Sequence, residues 1–490
     1  MRLPTTRLPE GRAGTVLRLG VLSLLVWAGS LATYWTAIRM RFGRLDDYGY
    51  VQTSRLDQLG SYYLPFNLDQ GRPIPGWIMG KVVPGATSVA DLWQMRAVVV
   101  SVLALSGVAA ALMVLVMTRT ASSWTRYPAA LVVGLTPMLL TASPSTATWA
   151  ILMGAIHSYA TAVVAGLMVG WRHRLWWLAS GALLLVTAFS YQQVVTVAML
   201  PAFLVTAADL AQRRTVRWWR PVVVGVMGVA ALALNTVYIL SRDGVGASRI
   251  GQGTWSERID WYVHSFLPVA FDLHVPSTGD GAVWSLVLAL ALACTPLLLG
   301  LRHAVLPAAV VLATLASAAA VLPLEMWASY RVAAPTQFSL WVGVAACVAY
   351  TTAYVAWRAV AAVGVVGGAV LVALGLTTAH TRAVDYLAAP NARDWANVRC
   401  LMGDGKDFDP AKKWYTSPFS VSTSPVITTD EYGIVGSLVQ WSLQAELWLA
   451  QDAVDGPGLP SWTGTNADVV QLVDPAEPDR ELFPGDACAR

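Results

Sequence analysis

Two carboxylates stand side by side in the segment RLDDYGYVQ, as Asp46 and Asp47. Some twenty residues further on, DQGRPIPGW supplies Asp69, Gly71, Arg72 and Pro73. Adjacent carboxylates can take up a proton or hold a hard cation. A nearby arginine can grip a phosphate through its fixed fork of donors. Taken singly, each piece has a plainer reading. An acidic pair beyond a helix more often caps it or is simply solvated, and a GRP triplet is most often a turn. What raises both above that reading is that they share one loop between two consecutive apolar runs, so a single site can use them together.

The elements that must position such a site are membrane spans. Of the 490 residues, 56% are hydrophobic and 13% charged, against roughly 25% charged in a soluble domain. Avoidance of charge on this scale is expected of a chain largely solvated by lipid. The 22 tryptophans suit anchoring at headgroup depth. A net charge of +4, spread along the chain, does not point to nucleic acid. Crossing the hydrocarbon takes about 20 mostly apolar residues. Runs of that character begin at 16–37, read as an uncleaved span and not a signal peptide because no small-residue cleavage site follows. Others follow at about 97–117, 128–142, 149–170, 175–190, 194–210, 221–241, 282–301, 304–323, 338–357 and 359–378. The fold class is therefore mainly α, a polytopic helical bundle of about eleven spans over residues 1–378. The pair 175–190 and 194–210 is the weakest, and a re-entrant hairpin would serve there equally.

Basic residues orient the bundle. With the N-terminus in the cytoplasm, Arg2, Arg7, Arg12 and Arg18 lie inside, as do Arg119, Arg126, Arg172, Arg174, Arg213, Arg214, Arg217, Arg220, Arg302 and Arg358. The first outside loop, 38–96, breaks the rule with seven basic residues. Either they act there, or a long loop has crossed regardless of its charge. Residues 379–490 read as a small extracytoplasmic domain with a helical stretch at 434–451. Cys400 and Cys488 fall within it, in an oxidising compartment where they can pair, while Cys294 and Cys347 fall in spans as apolar fillers.

An acidic pair directly after the first span, followed by GRP in the same loop, resembles the Gtr-type O-antigen glucosyltransferases, within the broader GT-C class of membrane glycosyltransferases. Two further motifs carry the resemblance, Ser190-Tyr191-Gln192 at the outer end of a span and Arg331 in MWASYRVAAP. It extends over roughly 16–378. It implies transfer of a hexose, glucose being one candidate, from a polyprenyl-phosphate carrier to a glycan or glycolipid acceptor outside the cytoplasm. Asp46 would be the base, with Asp47 its partner or a ligand of substrate hydroxyls, although the two can exchange roles. Arg72 and Arg331 would bind the donor phosphate, and Tyr191 and Gln192 would line the sugar or carrier site. A single displacement of this kind inverts the anomeric centre. The family pattern demands no metal, and no cofactor is expected.

Asp69, His157 and Glu325 are further candidates for lining the substrate site. His157 is mid-span, where ionisable groups tend to be functional, though a histidine hydrogen-bonded within the bundle reads equally well. Glu325 at an outer span end can as readily be solvated, or paired with Arg331. His264, Asp272 and His274 are too loosely spaced for zinc. A transporter or flippase would carry polar or broken spans near the midplane, whereas charge here collects in the loops. A non-catalytic accessory protein of envelope polysaccharide assembly needs far fewer spans than this chain has. The expected setting is the plasma membrane.

Overall fold

The first span, α1 (Arg12–Ile38), is 27 residues long. At 1.5 Å per residue it reaches about 40 Å, enough for hydrocarbon and part of one headgroup layer. The computed structural model describes residues 12–39, 50, 54, 59–82, 85–86, 91–140, 143, 146–147, 150–169, 175–242, 254–271, 280–322 and 330–384. Among the described residues there is no strand. In lipid, helices satisfy their own backbone groups, and side-chain hydroxyls do likewise. Ser30 donates to the Val26 carbonyl, Thr33 to that of Gly29 and Thr187 to that of Leu183, each at 2.8 Å.

Two short helices follow α1, α2 (Leu59–Asp69) and α3 (Pro73–Trp77). Then come α4 (Leu92–Met117), α5 (Ser123–Leu135), α6 (Ser158–Met168) and α7 (Leu175–Ala188). A tight helical segment, Gln192–Ala198, leads into α8 (Met199–Ala211), and α9 is Trp219–Leu240. Beyond it lie α10 (Trp255–Trp261), α11 (Leu267–Phe271), α12 (Asp280–Ala293), α13 (Val305–Ala319), α14 (Tyr330–Tyr354) and α15 (Arg358–Arg382).

Each expected apolar run overlaps helix among the described residues. Seven helical segments among the described residues are long and apolar enough to cross a membrane, namely 14–38, 92–117, 192–211, 219–240, 301–319, 332–354 and 358–381. Shorter apolar helices cover 152–168, 175–188 and 283–299. The chain is a multi-pass membrane protein, with seven helices of crossing length and three shorter apolar ones among the described residues.

Two boundaries move. Helix α4 begins at 92, so Arg96, read as a loop cation, lies in its second turn with a buried side chain. Helix α14 begins at 330, so Ala333 to Gln337, expected in an outside loop, are helical. Thr336 and Gln337 are fully buried there, because α14 passes through the middle of the bundle against α5, α12 and α13. Cys347 of α14 is buried as expected, whereas Cys294 at the end of α12 is exposed, and both are free thiols. The described chain ends at 384, so Cys400, Cys488 and the rest of the proposed tail domain lie outside it.

Small residues let the spans approach closely. A β-carbon on Gly107 of α4 would stand 2.0 Å from the Gly134 carbonyl of α5, so those two backbones touch. Helices α1 and α15 pack on the outside, and α15 turns Val360, Val363, Val366, Leu371 and Leu374 outward. Helix α9 is divided lengthwise. Arg220, Val224, Gly228, Ala231, Asn235 and Ile239 are buried, at spacings of three and four, while Val222, Val226, Val229 and Val237 are exposed. This is one stripe on the bundle and one on lipid. Its 22 residues span about 33 Å. The polar side chains of the buried stripe therefore sit near opposite ends of the molecule.

The pair suspected of being re-entrant runs between those ends. Trp177 of α7 packs against Trp219 at the start of α9, with ring centroids 5.0 Å apart. Tyr191, beyond the far end of α7, reaches the Arg72 loop, and α8 returns to place Asp209 beside Arg220.

Candidate functional site

The GRP segment is a turn built to a specific shape. After α2 the chain doubles back, with the Gly71 amide on the Leu68 carbonyl at 3.0 Å and the Arg72 amide on the Asn67 carbonyl at 2.8 Å. Gly71 takes φ +71°, a conformation costly for any residue with a β-carbon. A β-carbon there would also lie 2.4 Å from Ile239 Cγ1 and 3.0 Å from Gln192 Nε2. Pro73 then opens α3, where its missing N–H costs nothing. The sequence thus demands glycine, presents arginine and restarts with proline.

Two amides from distant helices hold the turn. Gln192 Nε2 donates to the Gln70 carbonyl at 2.8 Å and reaches that of Gly71 at 3.5 Å. Its Oε1 accepts from Arg72 Nε at 3.4 Å. From α9, Asn235 Nδ2 donates to the Gly71 carbonyl at 2.7 Å. Asn235 is fully buried, and its Oδ1 makes no hydrogen bond among the described residues. The Arg72 guanidinium lies 5.0 Å from the Tyr191 ring centroid, a cation–π distance. The two motifs that sequence reading singled out more than a hundred residues apart, GRP and SYQ, therefore meet.

Tyr191 also faces a small cleft of about 30 Å³ lined by Leu152, Ile156, Ser158, Tyr159 and Ala334, with Thr146 and Ala155. The lining is mainly apolar, and the buried Ser158 hydroxyl has no hydrogen-bond partner among the described residues.

The other candidates stand as follows. Asp69 pairs with Arg242 at 3.1 Å, both side chains partly exposed, tying the end of α2 to the end of α9. Arg242 also donates to the Tyr238 hydroxyl at 3.4 Å. His157 Nε2 lies 3.0 Å from Ser190 Oγ, joining the segment before α6 to the end of α7. Its chain neighbours Ile156 and Ser158 line the cleft. Arg331 is in the first turn of α14, one turn before the cleft residue Ala334. Asp46, Asp47 and Glu325 lie outside the described residues. Tyr50, three residues after Asp47, is described and buried, packed edge-on against Tyr63 of α2 at 5.3 Å. Among the described residues no group of three His, Cys, Asp or Glu side chains could hold a metal ion.

Sequence reading missed Asn235 and Arg242. Asn235 left a signal, a lone amide in an apolar span, where polar groups tend to make contacts between helices. Arg242 left none, because nothing in the sequence pairs it with Asp69.

No protein-family model matches the chain, and no curated protein matches it. Among solved structures it is similar to ArnT from Cupriavidus metallidurans, crystallised bound to undecaprenyl phosphate. The identity is 15%, the TM-score 0.38, and the match covers 88% of this chain and 85% of that one. Similarity at that level carries no argument for this chain, whose site is read from its own geometry.

Proposed function

We propose that the protein is a membrane glycosyltransferase that moves a hexose from a polyprenyl-phosphate carrier to an extracytoplasmic glycan or glycolipid, with inversion. The observation that carries this reading is the Arg72 turn. A guanidinium is laid on Tyr191, braced by Gln192 and Asn235, and set beside a mainly apolar cleft at one end of a membrane bundle. A lipid-linked sugar presents a phosphate at headgroup depth with an apolar chain below it, and that pair of features fits this combination. The resemblance to Gtr-type enzymes supports the same assignment, because its GRP and SYQ elements converge.

In the mechanism, Arg72 and Arg331 stabilise the charge that grows on the departing lipid phosphate. Asp46 takes the proton of the acceptor hydroxyl as that oxygen attacks the anomeric carbon, with Asp47 assisting or exchanging roles. The C–O bond to the phosphate breaks as the new glycosidic bond forms, and phosphate leaves without a general acid. Tyr191 and Gln192 line the donor site.

The test is turnover by the purified full-length protein with a panel of polyprenyl-phosphate sugars and candidate acceptors. Donor-dependent transfer is expected, reduced about 10²- to 10⁴-fold in Asp46→Asn with insertion unchanged. Full activity in both Asp46→Asn and Asp47→Asn would remove the acidic pair from the mechanism. Failure of the protein to consume any lipid-linked sugar would overturn the enzyme reading in favour of a transporter or accessory protein.

A further inference from the structure

At the end of the bundle opposite Arg72, charge is arranged in another way. Asp209, near the end of α8, is buried with 4% of its side chain exposed. Its Oδ1 meets Arg119 at 3.0 Å and Arg214 at 3.5 Å, and its Oδ2 meets Arg220 at 3.1 Å. Three guanidiniums thus share one carboxylate. The segments that build this end, 118–127, 208–220, 300–304 and 354–358, contain eight arginines, and Asp209 is their single acidic residue. Arg214 and Arg220 are mostly buried, at 15% and 8% exposure, and Arg119 is half exposed at 51%. An arginine cannot shed its charge to escape burial, and a buried charge needs a counter-charge. Arg119 and Arg214 alone carry one positive charge more than the Asp209 carboxylate they share.

The cluster is preformed. Arg213 takes φ +54°, the one non-glycine positive φ among the described residues. The turn it makes places the Arg214 amide on the Asp209 carbonyl at 2.9 Å. Arg214 Nη2 donates to Thr120 and, at 3.4 Å, to the Tyr354 hydroxyl. Tyr354 in turn donates to Gln212 at 3.1 Å, and Gln212 donates to Tyr350 at 3.0 Å. Three exposed indoles, Trp124, Trp218 and Trp357, lie within these segments. Exposed tryptophans mark headgroup depth in a membrane.

We propose that Arg119, Arg214 and Arg220, gathered on Asp209, form a binding site for a phosphate-bearing anion at this end of the protein. The two sources of that chemistry are the phosphate of an anionic lipid headgroup and free phosphate. The site is independent of the Arg72 cleft and of the glycosyltransferase reading.

The test uses the full-length protein in a zwitterionic detergent, titrated separately with short-chain phosphatidylglycerol, short-chain phosphatidylcholine and inorganic phosphate. Bound ligand is counted by native mass spectrometry. Saturable binding of one phosphatidylglycerol or one phosphate is expected, in clear preference to phosphatidylcholine. Phosphatidylglycerol alone would identify a lipid, and competition by inorganic phosphate would identify a free anion. Arg119→Gln removes the exposed member and leaves the buried pairs, so it should fold and weaken binding about tenfold, the worth of one charge-assisted hydrogen bond. Asp209→Asn, which adds one net positive charge, should bind more tightly and regain lost thermal stability when the anion is added. Equal binding by wild type and Arg119→Gln, or no saturable binding of either anion, would show that the cluster is only an ion-pair staple between loops.

Discussion

The two ends of the bundle hold arginines by different means. At one end the Arg72 turn is fixed by side-chain amides on backbone carbonyls and by an aromatic ring, from Gln192, Asn235 and Tyr191. At the other, Arg119, Arg214 and Arg220 converge on the carboxylate of Asp209. Helix α9 links them, with Arg220 near its start and Asn235 near its end on one buried stripe. The difference lies in what fixes each guanidinium. Amide braces on the backbone and a π face fix the turn that presents the Arg72 guanidinium, a placement that suits the proposed contact with a phosphate. A buried carboxylate among guanidiniums joins the chain segments, and removing it leaves charge stranded.

That contrast is open to direct attack. Arg72→Gln should reduce transfer about 10²- to 10³-fold, as loss of a group that stabilises transition-state charge does, with thermal unfolding little changed. Asp209→Ala should do the reverse, costing about 3–5 kcal/mol of stability for a broken buried pair, while the specific activity of the folded fraction stays near wild type. Paired activity and unfolding measurements on the two variants check this. Equal loss of activity in both would erase the distinction.

Gly71→Ala comes next. Its β-carbon meets Ile239 and Gln192, and alanine resists φ +71°. Steady-state assays should show transfer falling at least tenfold as Arg72 shifts, with a stability loss of about 1–3 kcal/mol. Asn235→Leu is subtler. It removes the donor to the Gly71 carbonyl but also an amide oxygen that has no hydrogen bond among the described residues. Stability should change by about 1 kcal/mol or less, and the donor KM should rise several-fold. An unchanged KM would mean that Gln192 alone fixes the turn.

The smallest effect is expected at the rim. Glu257 caps α10 reciprocally with Thr254, whose amide and hydroxyl hold its carboxyl below the ordinary value of 4.5. A lowered carboxyl pKa stabilises the fold above the unfolded value and loses that contribution as the pH falls through the folded one. Glu257→Gln should therefore match wild type in acid and differ slightly at neutral pH, in unfolding curves taken from pH 3 to 7.

Much of this was legible in the sequence because lipid imposes a simple rule. Apolar runs of sufficient length are expected to be helices, and each of them overlaps helix among the described residues. The start of α14 was misread because Thr336 and Gln337 look like loop residues. They are helical and buried, and Gln337 donates to the Val269 carbonyl at 2.8 Å. The GRP and SYQ motifs were legible as chemistry, yet their meeting was not, since it depends on how α7 and α2 pack. Asn235 and Asp209 were passed over as isolated polar residues in or at the end of apolar runs. Their partners, the Gly71 carbonyl and three scattered arginines, are set by tertiary structure alone.

The central claim is that Arg72 holds the donor's phosphate, and the most direct measurement is inhibition of transfer by unsugared polyprenyl phosphate. Wild type and Arg119→Gln should be inhibited with the same constant, and Arg72→Gln should require about tenfold more inhibitor or beyond. An inhibition constant unchanged by Arg72→Gln would contradict the account.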